Sequence, residues 1–177
     1  MDRSFVAGLV ADGPAEEYRD ELMLYGQFVG NWRTETKEWR LDGSSLVTEW
    51  DVRFQWALEG RAIQDLWITP PRNGERVGWN TPGNRYSTTL RLYVPAINAW
   101  RIVWLNPPSG TITNQIGRKV GDEIIQLADF AHDGSLTRWV YRDIRRSAFR
   151  WCNERSTDNG ATWRLVQEMR ASRISDQ

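Results

Sequence analysis

Hydrophobicity repeats every second residue from Phe28 almost to the C-terminus, and a chain patterned in this way has to bury one face of a sheet. The clearest stretch sets Leu46, Thr48, Trp50, Val52, Phe54, Trp56 and Leu58 against Val47, Glu49, Asp51, Arg53, Gln55 and Ala57. Large side chains of one parity and mostly polar ones of the other describe a long, half-buried antiparallel strand. At ~3.3 Å per residue it would run about 40 Å, and a strand that long has to curve. Similar runs occupy 31–40, 61–69, 85–94, 99–106, 111–120, 123–131, 135–144, 147–156 and 162–173. Turn signals stand between them, among them Asp42-Gly43, Glu59-Gly60, Gly121-Asp122, Asp133-Gly134 and Asp158-Asn159-Gly160. Asp-Gly and Asn-Gly supply the positive φ that tight hairpins need. Nothing between the runs is long enough for a parallel crossover helix. An antiparallel meander of this size closes on itself to remove its edges. The expected fold is therefore all-β, one antiparallel up-and-down barrel of about ten strands.

A helix is expected at 13–26, ahead of the barrel at 28–173, the whole of 1–177 forming one domain. Pro14 suits a first helical turn, and Glu16, Glu17 and Asp20 suit the positive end of the helix dipole. Tyr18, Leu22 and Tyr25 share a face, and Gly26 is the natural stop. Segment 70–84, rich in Pro, Gly and Asn and containing Trp79, is read either as a short strand or as a lid over one barrel mouth.

Composition removes several functions. A single Cys and a single His leave no disulfide framework, no cysteine-rich zinc site and no multi-histidine metal centre. Net charge is 0, which argues against affinity drawn from nucleic-acid phosphates. No apolar run approaches a membrane span. The short run at 5–11 meets Asp12 and Glu16-Glu17 directly, so a cytoplasmic protein without a cleaved signal is expected. Arg138, Arg142, Arg145, Arg146 and Arg150 cluster beside Trp139, Tyr141 and Trp151, but alternation puts Arg138 and Arg142 on the face opposite Trp139 and Tyr141. That split disfavours a nucleic-acid platform.

Phe28-Val29-Gly30-Asn31-Trp32 follows the expected helix, and Met169-Arg170-Ala171-Ser172-Arg173 ends the last run. A Gly-x-Trp at the first strand and an arginine on the last resemble the calycin superfamily, the lipocalins and fatty-acid-binding proteins. Among calycins the chain is most similar to bacterial lipocalin-like proteins. The resemblance implies that Trp32 closes one barrel end and that Arg170 or Arg173 packs across it. Ser156-Thr157-Asp158-Asn159-Gly160-Ala161-Thr162-Trp163 is similar to the Asp-box of sialidase propellers. One copy in a short chain reads as a well-specified hairpin instead. His132, at a hairpin tip, faces away from a barrel interior, which disfavours an axial haem ligand or a catalytic triad. Cys152 alternates opposite Trp151 and is read as an inert thiol.

The 11 tryptophans sort by parity. Trp50, Phe54 and Trp56 share a face, as do Trp100 and Trp104, and Trp151 shares one with Asn153. A ten-stranded barrel encloses more than its own side chains readily fill. These rings either fill the interior or line a pocket with Asn114, Tyr141, Asn153 and Gln167 as its polar groups. The expected function is binding of a small, largely hydrophobic molecule, aromatic or isoprenoid-like, without cofactor, metal, nucleic-acid or membrane partner; a homodimer is left open. The alternative is a cofactor-independent cyclase or isomerase in the same cavity, with Asp65, Glu49, Tyr141 and Arg138 as candidate proton-transfer or polarising groups. A purely structural barrel would contain no cavity of a few hundred Å³.

Overall fold

Strands form wherever the alternation runs. A computed structural model of the chain describes residues 4–71, 84–129, 131 and 133–174. Its strands are β1 (Gly30–Trp39), β2 (Ser45–Ala57), β3 (Ala62–Thr69), β4 (Arg85–Val94), β5 (Ala99–Asn106), β6 (Thr111–Val120), β7 (Glu123–Ala128), β8 (Leu136–Arg145), β9 (Ala148–Ser156) and β10 (Arg164–Arg173). Each pairs with its neighbour in sequence, and β1 pairs with β10, so the sheet closes without an edge. The barrel is all-β, antiparallel and up-and-down, as the period of two requires. Trp79 and the 72–83 part of the expected lid lie outside the described residues, as does His132. No helix among the described residues is long and apolar enough to cross a membrane.

The helix is shorter than its pattern. Only α2 (Arg19–Gly26) forms within 13–26, and a second short helix, α1 (Phe5–Leu9), precedes it. Residues 11–15 instead lie against the β2–β3 corner, where Ala11 N–H donates to the Trp56 carbonyl and Ala15 N–H to that of Gly60. Tyr18, at φ +59° in the left-handed region, cannot continue a right-handed helix from Pro14, so α2 begins after it. Gly60, at φ +79°, lets the two segments touch: a Cβ there would fall 2.3 Å from the Gly13 carbonyl oxygen. Leu22 and Tyr25 of α2 are buried, whereas Tyr18 stays exposed.

The helix seals one end of the barrel with aromatic side chains. Phe28 stacks within 4.9 Å of both Tyr141 and Phe149, and Trp32 meets Phe149 edge-on at 4.7 Å. Trp32 donates its indole N–H to the Phe28 carbonyl at 2.8 Å. Of the two arginines considered for packing over it, Arg173 does so, its guanidinium 4.2 Å from the ring centroid. That guanidinium also donates to the carbonyls of Val29, Gln27 and Arg146 at 2.6, 2.7 and 2.7 Å. Stacked and multidentate, this geometry suits arginine and not lysine. Replacing Arg173 with alanine is expected to cost about 2–3 kcal/mol, with lysine restoring only part, as read by urea unfolding.

The hairpin between β9 and β10 is built as its sequence indicates. Asp158 accepts from the Thr162 N–H and hydroxyl at 2.9 and 2.5 Å, and the Trp163 indole N–H donates to the Gly160 carbonyl at 3.0 Å. The bonds from the Thr162 hydroxyl, the Thr162 N–H and the Ser156 hydroxyl, the first leading, hold the Asp158 carboxyl down at about 2.

Candidate functional site

Above the aromatic seal the interior changes character, and β4 is the cause. Its inward parity carries Arg85, Ser87, Thr89 and Arg91, a polar stripe running from the rim towards the seal. Arg91 and Asp65, from adjacent strands, are both fully buried and paired at 2.6 Å. Asp65 accepts a second bond from Thr89 N–H at 2.8 Å, and Arg91 donates its other terminal nitrogen to the Tyr141 hydroxyl at 3.1 Å. The guanidinium lies 5.1 and 5.4 Å from the ring centroids of Tyr25 and Phe54. Burial opposes the charge on Arg91, but Asp65 and the two phenols outweigh it and hold the guanidinium above its ordinary pKa.

Beyond this polar floor is a cavity of about 420 Å³. Five tryptophans of its wall form an unbroken chain of ring contacts. Trp50 meets Trp67 at 6.3 Å, Trp67 meets Trp151 at 5.1 Å, Trp151 meets Trp139 at 5.6 Å, and Trp139 meets Trp104 at 5.5 Å. Asn153 and Gln167 add polar groups to the wall, and Asn114 and Asp129 stand at the exposed rim. The interior is thus filled at one end and hollow at the other, which removes the filled structural barrel.

Among the described residues, several buried donors on side chains of this wall have no acceptor. The indole N–H groups of Trp67, Trp139 and Trp151 are unpaired, and so is Nε of Arg91. An unmade bond at such a group costs about 1–3 kcal/mol.

The expected site residues divide. Trp50, Trp104, Asn114, Trp151, Asn153 and Gln167 line the cavity. Phe54, Trp56, Trp100 and Tyr141 do not. They belong to the seal and floor, where Trp56 backs Gly26, Trp100 meets Tyr25 edge-on at 4.8 Å, Phe54 packs on Phe28, and Tyr141 receives Arg91. Among the proton-transfer candidates, Glu49 is exposed and opposite in parity to the inward Trp50. Arg138 also faces outward, bonded to Glu154 at 2.6 Å and lying 4.2 Å over Trp163. Asp65 is committed to Arg91 and the Thr89 amide. Two more arginines of the cluster are ion-paired outside the barrel, Arg142 with Glu123 and Glu154, and Arg150 with Asp143 and Glu168. Cys152 is buried, and burial pushes its thiol up.

Trp67, Trp139 and Arg91 carry no site signal of their own in the sequence. In β4 the apolar Tyr86, Leu90 and Leu92 share the parity opposite Arg91, so alternation alone would turn the wrong face inward. Leu92 and Tyr86 are in fact exposed, 39% and 47%. The locating signal is the cross-strand partner: Asp65 lies opposite Thr89 in register, and a buried carboxylate requires a cation nearby.

Two solved structures share this architecture. The S-type phycobiliprotein lyase CPES from Guillardia theta is 8% identical and covers 92% of this chain and 100% of its own, with a TM-score of 0.56. Rv2717c from M. tuberculosis is 12% identical and covers 92% and 99%, with a TM-score of 0.58. The fold is calycin-like. No family model and no curated relative matches the sequence. Within the calycin-like barrel, the Trp32–Arg173 closure is structural and lies at the end away from the cavity.

Alkaline pH probes the floor. Burial, outweighing the nearby Arg91, pushes the Tyr25 phenol up to about 12 and raises Tyr141 as well. Unfolded tyrosines ionise near 10, so the stabilisation is whole below about pH 10 and drains away as pH rises towards about 12. Urea midpoints should fall across that window, with phenolate absorbance of these two residues appearing only on unfolding.

Proposed function

We propose that this barrel binds a small, largely apolar molecule with an aromatic or isoprenoid-like body. The carrying observation is the cavity of about 420 Å³ walled by the contiguous rings of Trp50, Trp67, Trp151, Trp139 and Trp104. That volume falls within the ~300–1,000 Å³ of ordinary ligand pockets. Ring burial and stacking supply the affinity, while Arg91, Asn153 and Gln167 orient the guest. A neighbour of this fold that is named as a lyase supports an interior put to use. Kinship with bacterial lipocalin-like proteins, carried by Gly30-Asn31-Trp32 and Arg173, is part of the same reading. Acid–base catalysis by a cyclase or isomerase gains no support from Asp65, Glu49, Tyr141 and Arg138, which either face outward or are locked in the floor; a purely shape-driven cyclisation stays the alternative.

Binding inside a tryptophan-lined cavity has to alter tryptophan emission. Titration with a library of polycyclic aromatics and isoprenoids is expected to quench and shift intrinsic fluorescence, with one-to-one adducts in native mass spectra. Unchanged emission and bare protein throughout the library would defeat the proposal.

A further inference from the structure

Strand β4 sets two arginines on the cavity lining, Arg85 at the mouth and Arg91 at the floor, about 20 Å of strand apart. Only the first is open to an anion. Arg91 is fully buried and its charge is already balanced by Asp65 at 2.6 Å. Arg85 is half-buried, its guanidinium donates to the neutral Asn84 carbonyl at 3.1 Å, and no carboxylate of a described residue pairs with it. The third charged residue of the described lining, Asp129, is exposed and follows β7, three strands round the barrel from β4. At ~4.8 Å per strand that is roughly 14 Å along the wall, beyond the Debye length of physiological salt. A guanidinium partly withdrawn from water without a counter-charge gains a strong, charge-assisted bond from a carboxylate that arrives with the ligand. The register ties this cation to the rings: Trp67 lies opposite Ser87 and Trp104 opposite Thr89, one and two inward steps below Arg85. We infer that the guest is an amphipathic anion held head-out, its apolar body among the tryptophans and a terminal carboxylate on Arg85 at the mouth. The inference rests on the binding reading above, narrows the guest from apolar to acid-bearing, and fixes its direction.

A matched pair of probes isolates the charge. Pyrenebutyrate and pyrenebutyramide share a ring system and a chain and differ in one ionised group, so calorimetric titration of the intact protein with each compares equal shapes. The carboxylate is expected to bind at least about tenfold tighter at low salt, the size of one hydrogen bond to a charged group. That ratio should shrink as salt rises, because Arg85 is only half-buried. Arg85→Gln should bring it close to unity, whereas Arg85→Lys, which keeps the charge, should retain most of it. Equal affinities in the unaltered protein would overturn the anion inference and leave the binding reading standing. A tenfold ratio that survives Arg85→Gln would place the carboxylate on another group and overturn the assignment. Failure of both probes to bind would count against both readings. Because the comparison in the unaltered protein decides whether an anion is preferred, the test survives a variant that folds poorly.

Discussion

Arg91→Met is expected to cost about 3–5 kcal/mol of folding stability, because it strands the Asp65 carboxylate in an interior that water does not reach. Asp65 and Arg91 have side-chain exposures of 0% and 1%, and the second bond to Asp65, from the Thr89 amide, cannot neutralise a charge. The sign of the effect depends on which partner is left behind. A buried pair replaced whole by apolar groups of similar volume is often neutral or better. Asp65→Leu combined with Arg91→Met should therefore recover most of the loss, a coupling that urea unfolding of the two single variants and the double variant would measure. A single-variant cost below about 1 kcal/mol would mean that the floor is hydrated and that the seal does not isolate it. The pair gives β4 little net stability by this reasoning; what it fixes is the guanidinium at the base of the cavity.

Asn153→Trp should abolish binding while leaving the barrel folded. Asn153 shares the inward parity of Trp151 and stands between Trp139 and Gln167 in register, so an added indole enters the hollow. The residue is only half-buried and lies beyond the packed seal, so the new ring takes space that no protein atom fills. Affinity for any cavity ligand should fall at least about a hundredfold, near 2.7 kcal/mol. Calorimetric titration measures it, and circular dichroism confirms the fold. Unchanged affinity would place the bound molecule somewhere else on the protein.

How far the molecule can be read from its sequence differs strand by strand. In β2 the alternation is clean, and the face carrying Trp50, Val52, Phe54 and Trp56 is the buried one. Strand β3 is buried on both parities over much of its length, so Trp67 stands among Leu66 and Ile68 with nothing to mark it as inward. In β4 the pattern misleads, because closure of the barrel and pairing with Asp65 choose the polar face over the apolar one. The site is accordingly half legible. Tryptophans on alternating strands can be found by parity, but their division between seal and cavity depends on where α2 plugs the barrel. That depth is set by packing of Leu22, Tyr25 and Gly26 against residues far away in the chain. The helix itself is overestimated at its start, since local propensity cannot see that contacts with the β2–β3 corner hold 11–15 against the sheet and that Tyr18 turns left-handed ahead of Arg19.

The central claim is that one end of this barrel is a working cavity and the other a seal, and indole N–H resonances report on both at once. A ¹⁵N–¹H correlation spectrum of tryptophan-labelled protein, recorded with and without a polycyclic aromatic or isoprenoid that quenches its emission, compares them directly. The indole signals of Trp50, Trp67, Trp104, Trp139 and Trp151 are predicted to move on binding, while those of Trp32, Trp56 and Trp100 in the seal stay in place. Shifts confined to Trp32, Trp56 and Trp100, or to tryptophans outside the barrel interior, would contradict the account.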